Sequence, residues 1–562
     1  SVMAISKTLL QPALYYSAES YSIRGRRLMG RQAAGEAFLR AFVDFYSDRP
    51  VHVLLHSPKD AALVDDELRR LGSVLPARTH SLADLHRAGF SLLYLPGPGI
   101  GELARQRLWA GERKFSLCGV THTIASHRAM ECIVELLTEP VRPWDALICT
   151  STSVKRSVEL LLAEQAEYLK WKLGATRFET PQLPVIPLGV HCRDFRFEPG
   201  FAQTSRQSLG IAEDDVVALF VGRLSFHAKA HPHPMLMACQ HCAKHLPSGR
   251  KLHLIQCGWF ANGRIEEAFG EIERYLAPDV VHHHLDGRKS GTRRQAWASA
   301  DIFVSFSDNV QETFGLTPIE AMAAGLPVLV SDWDGYRDTV THGETGFCVR
   351  TLAPPPGNSR DVARRYDLED GAYDRFGYDK YCGRLCAMVG VDVPEARDSL
   401  LRLVLDPDLR RKMGEAGRRR AESVYDWQHI MRRYVELWEE LENIRALSVE
   451  RFGGNPCREY PARMDPLSLF ADYPSCHVRA GVRCRNVTML DETEHGRLTG
   501  LKSHSFAQGV IPTFQLVAMV QEQLEKDGDL GAVLALACSD EERRDMERAV
   551  AWLHKVGALA LE

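Results

Sequence analysis

A chain of 562 residues, 45% hydrophobic and 25% charged, is too long for one typical core and has the composition of two or three globular domains. A formal net charge of -4 argues against a general polyanion binder, and no uninterrupted apolar stretch is long enough to span a bilayer. The fourteen cysteines are scattered rather than gathered into a short secreted framework. Free thiols and a cytoplasmic location are therefore expected, since the N-terminal residues do not read as a secretory signal.

From the N-terminus, short apolar runs alternate with helix-forming stretches. Residues 14–16, 51–55, 92–95, 115–120, 146–149 and 185–187 are predicted as strands, with connections long enough for crossover helices. After Ser151, the spacing of Val154, Val158 and Leu161 predicts a helix with one apolar face against this sheet. A second alternation begins near Val216, with strands expected at 252–256, 280–283, 302–305 and 328–330. Two such parallel domains leave a ligand cleft at the C-terminal ends of their strands.

Residues 351–390 break the pattern with APPPGNSR and an acidic, aromatic stretch, and read as an insertion. A long helix is predicted from Trp427 to about Leu447. The expected organisation is 1–200, 201–427 with its insertion, a linking helix at 428–450 that packs back on the first domain, and a small appended domain at 453–562. In the last, apolar faces at 514–524 and 546–553 call for burial, and 558–561 fits a short edge strand. A mainly helical or winged-helix-like unit is expected there, without the basic, aromatic-interleaved pattern of a nucleic-acid binder.

Cys239, Cys242 and His245 lie close together, but no second spaced pair completes a tetrahedral zinc site. Asn486-Val-Thr488 matches a glycan acceptor pattern that has no meaning without secretion.

The most informative segment is QETFGLTPIEAMAAGLPVLVSDWDGYRD, residues 311–338. It sets Glu312 and Glu320 eight positions apart around a helix start. Pro318 suits a first helical turn, and Gly325 can stop the helix before an apolar strand. Exposed amides of that turn suit an anionic diphosphate, although helix physics alone does not identify what carries it.

This segment, with FVGRLSFHAK at 220–229 and VIPLGVH at 185–191, resembles the retaining glycosyltransferases of family four. The resemblance covers about residues 14–447. It implies the GT-B architecture, in which two Rossmann-like domains face a cleft, and transfer of a sugar from a nucleotide diphosphate donor to an acceptor hydroxyl. By that resemblance Glu320 binds the ribose, and Glu312 lies at the transferred sugar and supports developing positive charge. Arg223 and Lys229 bind the diphosphate, with Ala230 standing where the family usually has glycine.

The resemblance also assigns Thr313, Phe314, Gly315 and Leu316 to the donor, and His122 to the reaction centre, with His127 as the alternative. Gly258 and the 287–295 region are expected near the nucleotide. In the loop SIRGRRLMGRQAAGE, Gly30, and less directly Gly35, is expected to approach the substrates. Arg24, Arg26, Arg27 and Arg31 either bind an acceptor anion or form a solvated cluster.

No cofactor and no essential metal are expected, because cationic side chains serve the diphosphate and no metal-binding carboxylate pair stands out. The implied partners are the nucleotide sugar, a hydroxyl acceptor and, through the C-terminal extension, a second copy of the chain. A specific nucleic acid and a transmembrane anchor are not among them, and peripheral membrane association stays open. The alternatives are a catalytically degenerate nucleotide-sugar-binding protein and a nucleotide-sugar epimerase.

Overall fold

A computed structural model describes residues 10–21, 30–362, 377–448 and 461–562. They divide into two compact units, Ser1–Glu459 and Tyr460–Glu562.

The first unit holds two six-stranded parallel sheets. One contains β1 (Pro12–Tyr16), β2 (His52–Leu55), β3 (Arg78–His80), β4 (Leu92–Tyr94), β5 (Ser116–Val120) and β6 (Ala146–Ile148), in the order β3-β2-β1-β4-β5-β6. The other contains β7 (Val216–Val221), β8 (Leu252–Gly258), β9 (Val281–Asp286), β10 (Ile302–Ser305), β11 (Val328–Ser331) and β12 (Gly346–Val349), in the order β12-β11-β10-β7-β8-β9. Each sheet thus has the 3-2-1-4-5-6 order of the doubly wound fold, reversing direction between β1 and β4 and between β7 and β10. The register aligns Leu14 with Val53, Val216 with Leu252 and Leu219 with Phe303.

Three sequence expectations need correction. β3 was not expected because Arg78–His80 is a polar, largely exposed edge strand with no apolar run. β12 was not expected because it is four residues long and opens on Gly346. A Cβ there would lie 1.8 Å from the Val328 carbonyl oxygen, so the neighbouring strand demands glycine. Residues 185–187 form no strand and contribute only an isolated bridge between Val185 and Cys149.

The helix Thr152–Leu173 buries Val154, Val158, Leu162 and Leu169, with Leu161 half-buried beside them. Cys239 and Cys242 pack inside the core of the second sheet. The inserted segment is closed at its base by an antiparallel pair, Thr351–Leu352 with Gly390–Val391. Of the rest, 363–376 lies outside the described residues. Among the described residues no helix is long and apolar enough to cross a membrane.

The helix Trp427–Leu447 follows the second sheet in sequence but packs on the first. Asp426 caps it by accepting the Gln428 N–H at 3.0 Å. Its buried face, including Trp427, Tyr434 and Trp438, joins one cluster with Phe38, Phe42 and Tyr94. Gly189 allows this approach, because a Cβ there would lie 2.5 Å from the Trp427 ring.

The second unit is mainly helical. Helices Phe514–Lys526, Leu530–Leu534 and Asp540–Lys555 bury Val517, Val533 and Leu553 around a two-stranded antiparallel pair, Cys484–Asn486 with Leu559–Leu561. The side-chain amide of Asn486 donates to the Gln521 carbonyl at 2.9 Å, an internal use of the residue in the glycan-like motif.

Trp438 is fully buried between the returning helix and the first sheet. Trp438→Ala is expected to remove about 3–5 kcal/mol of stability, read from the urea midpoint of that transition. An unchanged midpoint would refute the packing of this helix on the first sheet.

Candidate active site

Polar side chains gather at the carboxyl ends of the second sheet, around the point where its strand order reverses. Past β7, Gly222 has φ 149, and Gly258 closes β8 so tightly that a Cβ on it would lie 1.9 Å from the Gly222 carbonyl oxygen. The glycine expected near the nucleotide is thus required by backbone packing. This packing sets the course of the chain into Arg223. The Arg223 guanidinium is half-buried, donates to the Ala228 carbonyl at 3.3 Å, and has no carboxylate partner among the described residues. Burial lowers its pKa, as expected for a cation lacking a counter-ion.

Lys229, six residues on, is ion-paired with Glu312. Burial pulls the lysine pKa down, but Glu312 more than offsets this and leaves it raised. The lysine backbone is fixed by the Ser307 hydroxyl, which donates to its carbonyl at 3.1 Å. Asn309 shapes the approach to Glu312: its side chain donates to the His227 carbonyl and accepts the Gln311 N–H at 2.9 Å, while its own carbonyl accepts the Trp333 ring N–H at 3.0 Å.

The helix Leu316–Ala323 begins after Gly315, whose φ is 79. A Cβ at Gly315 would lie 2.0 Å from the Tyr336 ring, so both conformation and space select glycine. Phe314 is buried in the core below, and Thr313 and Leu316 are half-buried on either side of the turn. Glu320 is on this helix and makes no side-chain hydrogen bond or ion pair among the described residues. Burial raises its pKa, against the opposing pull of Arg293 and Lys229.

In the first half, His122 follows β5 and is half-buried, with its Nε2 3.2 Å from the Pro96 carbonyl beyond β4. His127 is exposed at the start of another helix and lies 2.9 Å from Glu131. Gly30 opens the helix Gly30–Phe45, and a Cβ on Gly35 would lie 2.0 Å from the Ser20 carbonyl oxygen. Arg24, Arg26 and Arg27 lie outside the described residues, as does the side chain of Arg31.

The two halves meet through their carboxyl ends. Ser151, just past β6, caps the helix Thr152–Leu173 by accepting the Val154 N–H at 3.2 Å and donates its hydroxyl to Asp334, just past β11, at 3.0 Å. The Thr152 N–H donates to Asp338 at 2.6 Å. Sequence reasoning missed Asp308, Asp334 and Ser151, whereas Arg293 falls in the 287–295 region expected near the nucleotide. Asp308 carried a signal in principle, since an acidic residue after an apolar strand at a reversal of strand order faces a cleft. Burial pushes its carboxyl up to about 7, although it accepts the His231 N–H at 3.3 Å.

Residues 201–365 match the model of the family described as Glycosyl transferases group 1. This stretch is thus similar to a group 1 glycosyl transferase domain. The chain's two sheets, meeting at their carboxyl ends, form the GT-B architecture. The chain is 29% identical over 267 residues to D-inositol 3-phosphate glycosyltransferase of Geodermatophilus obscurus, covering 45% of this chain and 54% of that enzyme. It is 26% identical over 349 residues to alpha-maltose-1-phosphate synthase of Mycolicibacterium smegmatis, covering 59% of this chain and 76% of that one. The chain thus spans about half the length of the first of these relatives. Among solved structures, Anabaena HepE in complex with UDP and glucose aligns with a TM-score of 0.49 at 15% identity, covering 76% of this chain and 100% of that one.

Asp308 is expected to make the domain's stability sensitive to pH. Its folded pKa of about 7 exceeds the ordinary 3.8, so the folded state holds the proton more tightly and stability falls as pH rises through that window. Asp308→Asn is expected to melt above the parent at pH 8 and to show little advantage at pH 4. Equal melting temperatures at pH 8 would refute the upward shift of this buried carboxyl.

Proposed function

We propose that the protein transfers a glycosyl group from a nucleoside diphosphate sugar to an acceptor hydroxyl with retention at the anomeric carbon. The observation that carries this reading is the charge arrangement at the carboxyl ends of the second sheet. A half-buried Arg223 lies six positions from Lys229, and among the described residues neither Arg223 nor the carboxylate of Glu320 has an ion-pair partner. Buried unpaired charges are costly, and an anionic diphosphate with a ribose diol would satisfy both signs at once.

In this reading Arg223 and Lys229 neutralise charge developing on the departing diphosphate, and the amides of the turn from Thr313 to Leu316 add directed hydrogen bonds. Glu320 accepts from the ribose hydroxyls. Glu312 lies at the transferred sugar, its carboxylate positioned by Lys229, which suits it to stabilise an electron-poor anomeric carbon rather than to attack it. His122 contacts the sugar from the first half, and Gly30 lets the chain approach it. The diphosphate takes the acceptor proton as its bond to the sugar breaks, so no enzyme nucleophile is required. Arg24, Arg27, Arg31 and His127 are assigned to the acceptor side.

A calorimetric and hydrolysis screen of UDP-, GDP- and ADP-linked sugars tests the donor assignment. Binding and slow hydrolysis of one donor class are expected, with affinity reduced about tenfold or more by Glu320→Ala. A variant that binds as the parent does would remove Glu320 from the site, and binding without turnover over a broad acceptor panel would leave a nucleotide-sugar-binding protein. With an acceptor in hand, turnover in excess chelator is expected to match the untreated rate, and NMR of the first-formed product to show the donor's anomeric configuration. Metal-reversible loss of activity or an inverted product would overturn those two points separately.

A further inference from the structure

Asp334 is the one non-glycine residue with positive φ among the described residues, at 42°. L-residues enter this left-handed region at a cost in backbone energy, and such strain persists where the surroundings fix it. Here they do. Gly335 packs on the Phe314 backbone so closely that a Cβ would lie 2.5 Å from its Cα, and the Trp333 ring N–H is tied to the Asn309 carbonyl. The turn carrying Asp334 is therefore clamped onto the loop carrying Glu312.

The carboxyl is costly a second time because it is drawn out of water. Burial, with Glu312 and Asp338 adding to it, pushes its pKa up to about 8 despite the hydrogen bond from Ser151. Glycine would fit this backbone without either cost. A residue disfavoured both by conformation and by burial, at the meeting of the two halves and within the electrostatic reach of Glu312, points to a use for its carboxyl. The hydroxyl of Ser151 and the Gly335 amide engage it, and a carboxyl raised to about 8 still has an O–H to donate and acceptor capacity to spare.

We propose that Asp334 is a further donor-recognition residue, its carboxyl hydrogen-bonding a hydroxyl of the transferred sugar beside Glu312. This rests on the glycosyl-transfer reading above. The rival role is a purely structural latch to Ser151, and the two separate by experiment.

The full chain, Asp334→Gly and Ser151→Ala are titrated calorimetrically with UDP, GDP and ADP, and with UDP-glucose, GDP-mannose and ADP-glucose. For the nucleotide that the parent binds, Asp334→Gly is expected to leave the affinity for the bare diphosphate within about twofold and to weaken the sugar-linked form about tenfold, as loss of one ligand hydrogen bond would. Its melting temperature is expected to be no lower than the parent's, because glycine relieves the strain. Ser151→Ala is expected to leave both affinities within about twofold, since it removes the latch but keeps the carboxyl.

An unchanged ratio between bare and sugar-linked nucleotide in Asp334→Gly overturns the assignment of Asp334 alone. So does a Ser151→Ala variant that reproduces the loss, which would make the contact a latch. Should the glycine variant unfold, Asp334→Asn, whose side chain tolerates this backbone region, reads the same ratio. A parent that binds none of the six compounds overturns the functional reading and this proposal with it.

Discussion

The hydrogen bonds from Ser151 and Thr152 to Asp334 and Asp338 join the carboxyl ends of the two sheets, and the polar chemistry of the first unit lies around that junction. Ser151 serves both sides at once. It satisfies an otherwise orphaned amide in the first turn of its own helix, and it donates to a carboxyl of the opposite half. The amide ends of a 22-residue helix also favour the acidic groups they meet. Because both sheets reverse their strand order at these ends, the side chains that follow their strands converge instead of dispersing.

Charge balance around the junction is uneven. Lys229 and Glu312 neutralise one another, and burial pushes the Asp308 carboxyl up to about 7. Arg223 and Glu320 form no ion pair among the described residues, Glu320 feeling Arg293 and Lys229 only at a distance. Unpaired groups of both signs within one polar cluster suit a ligand that is anionic at one end and rich in hydroxyls at the other. A simple anion would satisfy Arg223 and leave Glu320 unbalanced.

The packing that supports this cluster comes from elsewhere in the chain. The helix Trp427–Leu447 begins beside the second sheet and buries its aromatic face on the first, while the bridge between Val190 and Asp426 ties it to the segment linking the halves. The Arg40–Asp194 ion pair and the contact of the His191 ring with the Ala37 carbonyl add polar ties at the same place. On the other side, the Cys386 thiol meets the Phe226 carbonyl, so the end of the inserted segment rests on the loop between Arg223 and Lys229.

Much of this architecture was legible in local sequence. Apolar runs separated by crossover lengths specify parallel sheets, because strands buried on both faces need continuous hydrophobic stretches. Glu312, Gly315, Pro318 and Glu320 could be placed at a helix start because turn and capping chemistry acts over a few residues. The edge strands Arg78–His80 and Gly346–Val349 could not, since neighbours distant in sequence create them. The sequence by itself therefore determined the fold class and the residues around one helix turn. Only the tertiary structure decided that Lys229 meets Glu312, that Arg223 and Glu320 form no ion pair among the described residues, and that Asp334 meets Ser151. Those outcomes depend on desolvation and on distances between segments up to 183 positions apart, which no local pattern encodes.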